Sequence, residues 1–369
     1  MNCLHAWPEP IVRVQSLAES GITTIPERYI KPPSLRPILE NPLSEKLIPN
    51  YDQNNNNIPV ISLEDLFSHD QTLREATFRS MSSACRKWGF FQVVNHGVDH
   101  ELMKKAKETW REFFRQPLEV KQTYANSPST YEGYGSRLGV EKGAILDWSD
   151  YFFLHFMPAS LRKPEKWPTL PPSCRSVIEE YSNEVVKLCG TLMKVLSINL
   201  GLKEDHLQNA FGGDQNIGAC LRANFYPKCP QPDLTLGLSP HSDPGGMTLL
   251  LPDENVSGLQ VRRANRWITV KPAPNSFIVN MGDQIQVLSN AIYKSVEHRV
   301  IVNPDKDRVS LAMFYNPKSD IPIEPVKQLV TKSRPALYPA MTFDEYRLFI
   351  RTKGPCGKTQ VESLKSMKS

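Results

Sequence analysis

The sequence predicts a mainly β protein with flanking helices and a jelly-roll core. From Ile217 onwards, short apolar runs alternate with turns, whereas the chain before this point reads mainly as amphipathic helices. Many short strands in close succession are typical of a closed or sandwiched all-β core such as a jelly roll. The predicted strands are Ala219–Tyr226, Leu236–His241, Met247–Leu251, Leu259–Val261, Trp267–Val270, Phe277–Met281, His298–Val302 and Ser310–Tyr315.

An arm and a mixed, largely helical region precede this core. Residues 1–57 are rich in proline and end in a run of asparagines at 54–57, which indicates an extended arm and linker with a short helix within Val12–Ser20. The region that follows is expected to pack on the core. Its predicted elements are a strand at 58–61, a helix at Gln71–Trp88, a strand at Phe90–Val94, a helix at Glu101–Arg115, mixed loop and strand at Tyr131–Phe156, and a long helix at Ser173–Leu200.

A last helix is predicted near the C-terminus, from about Phe343 to Lys353. Thr342 and Glu345 have the spacing of a capping box at its start, and Gly354 with the following proline ends it. The tail from Gly357 is polar and is expected to be mobile. The predicted organisation is an arm and linker (1–57), a helical region (58–212), the β core (213–318) and a C-terminal helix with its tail (319–369).

The composition is that of an ordinary globular protein, with 369 residues of which 40% are hydrophobic and 22% charged. A net charge of +5 suits anionic small molecules, but no Lys/Arg stripe with interleaved aromatics indicates nucleic acid. The 7 cysteines are scattered and form no C-x-x-C motif, which favours free thiols in a reducing compartment. No signal core and no membrane span are expected. These features predict a cytoplasmic protein, with a nuclear pool left open.

Candidate metal ligands come from two separate stretches of the β region. In His241-Ser242-Asp243 the imidazole and the carboxylate share one face of an extended segment, because strand side chains alternate with period two. His298 lies on a later predicted strand. Two histidines and one carboxylate form a facial triad that leaves open positions on iron(II). A salt bridge or turn for the pair, and a core histidine for His298, are the alternative interpretations.

Two further groups of residues indicate sites for carboxylates. Arg308 and Ser310 share a strand face, and a guanidinium with a hydroxyl is a good carboxylate receptor, although a turn arginine is the alternative. Arg222, Asn224 and Tyr226 also share one face. If that face is inward, Arg222 needs an anion, because a buried unpaired arginine is costly. The anion is either a structural Asp or Glu or the carboxylate of a substrate.

Together these residues resemble the iron(II)/2-oxoglutarate-dependent dioxygenases of plants. The stretches FFQVVNHGV at 90–98 and YPKCPQPDLTLGLSPHSD at 226–243 are similar to that family, and the resemblance covers roughly residues 58–355. It implies a double-stranded β-helix core with helices packed outside. It implies iron(II) and 2-oxoglutarate, with O2 as the other co-substrate and ascorbate as a supporting reductant. The implied iron ligands are His241, Asp243 and His298, and the implied 2-oxoglutarate contacts are Asn224, Tyr226, Arg308 and Ser310.

The N-terminal stretches at 7–20 and 28–37 resemble one subgroup, the jasmonate-induced oxygenases, which hydroxylate jasmonic acid. On the final helix, Arg347 and Arg351 are four residues apart and share a face. With Arg222 they match the arginines with which this subgroup holds the jasmonate carboxylate. A solvated basic face is the alternative interpretation of the two helical arginines.

The resemblance implies conversion of jasmonic acid to 12-hydroxyjasmonate, which would lower active jasmonate and damp defence signalling. The hormone would pack against Phe314 and Phe343, with the C-terminal helix closing the pocket. A monomer that binds neither nucleic acid nor membrane is expected. The remaining alternatives are a flavonoid-type 2-oxoglutarate oxygenase and a non-catalytic sensor of a small acid.

Overall fold

The computed structural model describes residues 6–37, 57–355 and 357–366, and its core consists of two β-sheets with helices on the outside. The expected asparagine-rich linker falls mostly outside the described residues. The strands are β1 Val60–Ser62, β2 Phe90–Val94, β3 Gly133–Gly135, β4 Asp150–Met157, β5 Gly218–Tyr226, β6 Leu238–His241, β7 Met247–Leu251, β8 Leu259–Arg263, β9 Arg266–Thr269, β10 Phe277–Met281, β11 His298–Val300, β12 Arg308–Asn316, β13 Pro322–Ile323 and β14 Met341–Thr342. The α-helices are α1 Val14–Glu19, α2 Gln71–Lys87, α3 His100–Arg115, α4 Leu118–Gln122, α5 Cys174–Asn199, α6 His206–Ala210, α7 Asp283–Leu288, α8 Phe343–Lys353 and α9 Thr359–Ser366.

The larger sheet has the strand order β1-β2-β10-β7-β12-β5-β4-β3. Its centre is the antiparallel pair of β5 and β12, in which Tyr226 lies opposite Arg308 and Asn224 opposite Ser310. Successive residues of β12 alternate between the two faces. Leu311 and Met313 belong to the apolar cluster shared with α3 and α5. The residues that alternate with them, Ser310, Ala312 and Phe314, therefore face the interior of the β core.

The smaller sheet has the order β6-β11-β8-β9 and brings the candidate metal ligands together. β11 runs antiparallel to β6, and His298 lies directly opposite His241. The two histidines are far apart in sequence, so only this strand pairing makes them neighbours.

The helices cover the outer face of the larger sheet. The 26-residue helix α5 follows the predicted Ser173–Leu200 segment and buries an apolar stripe that includes Val185, Leu192 and Leu196. This stripe packs with residues of α2 and α3 in one continuous core. Burial of apolar surface contributes about 25 cal/mol per Å², which makes this cluster the main stabilising element under the sheet.

The N-terminal arm is attached to the fold through α1. Asp150, at the start of β4, accepts hydrogen bonds from the backbone amides of Val14 at 2.9 Å and Gln15 at 3.0 Å. The hydroxyl of Tyr134 also donates to Asp150, at 3.0 Å. These bonds satisfy amides that have no partner within the first turn of a helix. The short helix was expected from the sequence, whereas its distant cap was not.

The C-terminal segment differs from expectation after Gly357. Helix α8 has both hydrogen bonds of the capping box between Thr342 and Glu345. The tail, however, forms helix α9 over most of its length, and Val361 and Leu364 are buried on one side of it. The prediction of a mobile polar tail is therefore wrong for residues 359–366, because a narrow apolar stripe docks this segment on the core. Residues 367–369 lie outside the described part.

The five described cysteines are free and buried, in agreement with the absence of a disulfide framework. Across the described ranges no helix is long and apolar enough to cross a membrane. The division of the chain at residues 57, 212 and 318 stays a prediction.

Candidate active site

His241, Asp243 and His298 meet where β6 and β11 lie side by side. His241 is the last residue of β6, Asp243 follows in the adjoining loop, and His298 begins β11. The Nε2 atoms of His241 and His298 lie 3.5 Å and 3.7 Å from Oδ1 of Asp243. The candidate ligand atoms all lie within 4.8 Å of one another, as a shared metal ion requires.

Hydrogen bonds orient all three side chains. Nδ1 of His241 donates to the carbonyl of Ser239 at 2.9 Å, and Nδ1 of His298 donates to that of Val296 at 3.1 Å. A carbonyl only accepts, so Nδ1 carries a proton in both rings, and Nε2, the atom that a metal would bind, points towards Asp243. The other carboxylate oxygen of Asp243, Oδ2, accepts from Oγ1 of Thr248 at 2.6 Å and Nδ2 of Asn280 at 2.7 Å. Oδ1 therefore remains for a metal.

The protonation of the triad also suits a metal ion. Burial lowers the pKa of His298 to about 4, and the neighbouring His241 adds to this effect. Burial alone would raise the pKa of Asp243, but the charge of His298 and the hydrogen bond of His241 hold it well below its usual range. Burial lowers the pKa of His241, yet the hydrogen bond and charge of Asp243 outweigh it and raise this pKa overall. The Asp243 carboxylate therefore favours a positive charge beside it. A divalent ion bound at Nε2 of His241 would replace the proton that this nitrogen otherwise carries.

A cavity extends from the three metal ligands towards Arg308 and Ser310. Arg308 is buried, its Nε lacks a hydrogen-bond partner, and its Nη1 lies 3.4 Å from Oγ of Ser310. The guanidinium lies 5.1 Å from the ring centroid of Tyr226, and the side chains of Asn224 and Tyr226 line the same cavity. Among the described residues, no carboxylate lies within ion-pair distance of Arg308. A buried cation of this kind fits one carboxylate of a dicarboxylate whose other end reaches the metal.

A pocket on the other side of the triad is mainly apolar. His241 and Asp243 line it, and so do the five residues predicted to bind substrate. Those five are Arg222, Phe314, Phe343, Arg347 and Arg351.

The three arginines of this pocket have different partners. The guanidinium of Arg222 lies 4.2 Å from the ring centroid of Tyr151, and its Nε is buried without a hydrogen bond. Arg347 pairs with Asp344 on its own helix. Burial, followed by the charge of Arg347, lowers the pKa of Arg351. Within the described ranges, neither Arg222 nor Arg351 has a carboxylate within ion-pair distance. The cluster therefore carries positive charge that an anion in the pocket would neutralise.

Sequence reasoning missed His155, to which no pattern assigns a role. It lies on β4 opposite Cys220, two residues after Phe153, which pairs with Arg222 across the sheet. Its Nδ1 is 3.3 Å from Sγ of Cys220, and it lines the substrate pocket. Burial, then the charges of Arg347 and Arg351, lower the pKa of His155 to about 4. The alternation of Tyr151, Phe153 and His155 on β4 was visible in the sequence, but its pairing with β5 was not.

The fold and the site define a class of metal-dependent oxygenase. The chain belongs to the 2OG-Fe(II) oxygenase superfamily, whose family model matches residues 217–317. A second model, described as non-haem dioxygenase in morphine synthesis N-terminal, matches residues 58–170. The predicted double-stranded β-helix fold, the iron(II) site and the use of 2-oxoglutarate are thereby confirmed.

Individual relatives narrow this class. Jasmonate-induced oxygenase 2 of Arabidopsis thaliana is 65% identical over 360 residues, which cover 98% of this chain and 94% of that protein. Jasmonate-induced oxygenase 3 of the same plant is 62% identical, with 99% of each chain covered. The crystal structure of JOX2 in complex with 2OG, Fe and JA matches with a TM-score of 0.88 and 64% identity, covering 97% of this chain and 99% of that one. The resemblance to the jasmonate-induced oxygenases is therefore confirmed.

Proposed function

We propose that this enzyme hydroxylates jasmonic acid to 12-hydroxyjasmonate with iron(II), O2 and 2-oxoglutarate. The observation that carries the proposal is the cluster of Arg222, Arg347 and Arg351 at the wall of an apolar pocket that opens onto the metal ligands. Two of these cations lack a carboxylate partner among the described residues. A monocarboxylate with an apolar body supplies the missing anion and fills the pocket.

The co-substrate and the metal would be held by two different sets of residues. Arg308 and Ser310 hold the distal carboxylate of 2-oxoglutarate, while His241, Asp243 and His298 hold iron. When bound, iron and 2-oxoglutarate activate O2, so that a C–H bond of the substrate becomes C–OH while 2-oxoglutarate is converted to succinate and CO2.

The arginines determine which part of the substrate is oxidised. They fix the carboxylate of jasmonate at the pocket wall, so the ring and the pentenyl tail extend over the apolar surface of Phe314 and Phe343. A fixed carboxylate converts a loose encounter into one orientation relative to the metal ligands. The far end of the tail would then lie next to the metal ligands, so we expect oxidation at carbon 12.

His155 leaves the positive charge of the arginine clamp (Arg222, Arg347 and Arg351) to the arginines alone. With its pKa at about 4 the imidazole stays neutral at physiological pH, so it does not add a further charge beside the arginines. A flavonoid has no carboxylate, and its binding would cover Arg222 and Arg351 without neutralising them. Covering an unpaired cation costs several kcal/mol, on the order of 3–5 kcal/mol for a fully buried one, which disfavours a flavonoid substrate.

The test is incubation of the protein with iron(II), ascorbate, 2-oxoglutarate and one candidate substrate at a time. We expect mass spectrometry to detect 12-hydroxyjasmonate from jasmonic acid, with succinate formed in step. Oxidation of a flavanone but not of jasmonic acid would replace the hormone by a flavonoid. Tight binding of jasmonic acid without succinate would instead indicate a sensor.

We propose further that the enzyme is a cytoplasmic monomer and that its activity lowers active jasmonate. Light scattering after size exclusion tests the monomer. Imaging of a fluorescent fusion tests the location, and jasmonate levels in plants that overproduce the protein test the effect on the hormone.

A further inference from the structure

A buried carboxylate that is not among the predicted ligands of the metal or of 2-oxoglutarate links two parts of the site. One part is the metal loop, residues 241–243, and the other is α8, the helix that carries Arg347 and Arg351. Asp283, the first residue of α7, has 1% of its surface exposed. Its Oδ2 accepts a hydrogen bond from Oγ of Ser242 at 3.0 Å and another from the hydroxyl of Tyr346 at 2.7 Å. Ser242 is the middle residue of the His-x-Asp motif. One oxygen atom is thus shared by the metal loop and α8.

Tyr346 precedes Arg347 directly on α8 and is also buried. A hydroxyl bound to a carboxylate at 2.7 Å is a short, charge-assisted hydrogen bond, which is about twice as strong as a neutral one. On the far side of the same helix, Leu348 and Phe349 are exposed. Tyr346 therefore belongs to the buried face by which α8 is attached to the core, and its hydroxyl is the group on that face that reaches Asp283.

Backbone contacts reinforce the link on both sides of the metal ligands. The amide of Asp283 donates to the carbonyl of Asp243 at 2.8 Å. Gly357, just after α8, donates to the carbonyl of Pro240 at 2.7 Å and accepts from the amide of Ser242 at 3.2 Å. The segment that follows the clamp helix thus forms a β-bridge with His241 itself. The clamp and the metal ligands are parts of one hydrogen-bonded unit.

We propose that Tyr346 and Asp283 are positioning residues that fix the distance between the arginine clamp and the metal ligands. Neither needs to touch the substrate. The pair determines which carbon of a carboxylate-anchored substrate lies next to the metal, and it keeps consumption of 2-oxoglutarate tied to hydroxylation. This inference rests on the proposed function, because it concerns the same clamp and the same acid.

The test uses Tyr346→Phe, which removes one oxygen atom and keeps the ring. We expect the kcat of jasmonate hydroxylation to fall about tenfold, the factor that corresponds to 1.4 kcal/mol. We also expect more than one succinate per hydroxyjasmonate and oxidation at carbons other than carbon 12. The Kd of jasmonic acid for the metal-free protein, measured by calorimetry, should change less than about twofold, because the arginines themselves remain.

Tyr338→Phe is the matched control. Tyr338 is equally buried, and its hydroxyl accepts a hydrogen bond at 2.8 Å from Gln286, which also lies on α7. Among the described residues, no hydrogen bond joins Tyr338 to residues 241–243. We expect this variant to keep one succinate per hydroxyjasmonate and a single product.

Three results would overturn the inference. One is the formation of one succinate per hydroxyjasmonate (strict coupling) and a single product in Tyr346→Phe. Another is the same excess of succinate over hydroxyjasmonate in the control variant. If Tyr346→Phe does not fold, Ser242→Ala removes the other hydrogen bond to the same oxygen, and strict coupling there is the third. A wild-type protein that forms no hydroxyjasmonate would overturn the proposed function as well, whereas an active, fully coupled variant overturns only the positioning role.

Discussion

Replacement of Arg351 by glutamine tests the clamp most directly. Glutamine keeps a polar side chain that can donate a hydrogen bond, although it is shorter, and it removes the charge. The backbone should stay in place, because the hydroxyl of Tyr131 donates to the carbonyl of Arg351 at 3.0 Å and this bond is independent of the side chain. The variant therefore changes the charge of the pocket more than its shape.

The size of the effect follows from the partners of Arg351. Its pKa is lowered by burial and by the charge of Arg347, so the guanidinium pair is under repulsion until an anion binds. A hydrogen bond to a charged group contributes about 1.5–3 kcal/mol, which corresponds to about 10- to 150-fold in affinity. We expect the Michaelis constant for jasmonic acid to rise within this range, while the apparent affinity for the co-substrate 2-oxoglutarate stays constant. Arg347→Gln should have a smaller effect, because Asp344 already neutralises part of its charge.

The assay compares jasmonic acid with its methyl ester in both proteins. The ester keeps the ring and tail but carries no charge, so the wild-type enzyme should strongly prefer the acid and Arg351→Gln should lose most of that preference. Arg79→Gln is the control, since Arg79 is exposed on α2, and its ion-pair partner in the described part of the chain is Glu75. An unchanged preference for the acid in Arg351→Gln would refute the clamp and leave the arginine as part of a solvated face.

Further predictions concern the metal, the co-substrate and pH. Thr248→Val removes a hydrogen bond to Asp243, so iron(II) affinity in an anaerobic titration should fall about 10- to 100-fold, and unchanged affinity would contradict this orienting role. Arg308→Gln should weaken the apparent affinity for 2-oxoglutarate at least about tenfold in a succinate assay, while calorimetry should detect jasmonate binding as before. The pKa of His155 is about 4 when folded and about 6.5 when unfolded, so only the unfolded chain takes up a proton between these values. The neutral His155 side chain therefore contributes up to about 3 kcal/mol to the free energy of unfolding above pH 6.5, and this contribution is lost as the pH falls to about 4. Denaturant unfolding of His155→Gln should accordingly show a weaker decline over this range, and an identical decline would assign the acid sensitivity to other groups.

The sequence was most informative where local periodicity decides the orientation of a side chain. Arg308 and Ser310, like Arg222 and Asn224, could be assigned to one face because alternation along a strand requires no knowledge of its neighbours. The role of His155 depends on which strand lies beside β5, and strand pairing is not encoded in any local pattern. For the same reason the sequence could propose His298 as a ligand but not show that it lies opposite His241.

The tail illustrates a different limit. Helix α9 is short, and an isolated helix of this length is marginal in water, so its polar composition suggested mobility. Its stability comes from the docking of Val361 and Leu364, which is a tertiary contact. Asp283 was also missed, because a single acidic residue after a buried strand has no distinctive spacing, and its importance depends on Tyr346, which is 63 residues away.

The capping of α1 by Asp150 has a practical consequence for work with this enzyme. The residue next to Asp150 is Tyr151, whose ring supports the guanidinium of Arg222. Removal of the first 20 residues would leave the Asp150 carboxylate buried without the two amides that now bind it, one residue away from the ring that supports Arg222. A shortened protein would retain every residue predicted to contact iron, 2-oxoglutarate or jasmonate, yet we expect its kinetics to differ from those of the intact chain. Substrate preferences of variants of this enzyme should therefore be compared in proteins that keep Val14 and Gln15.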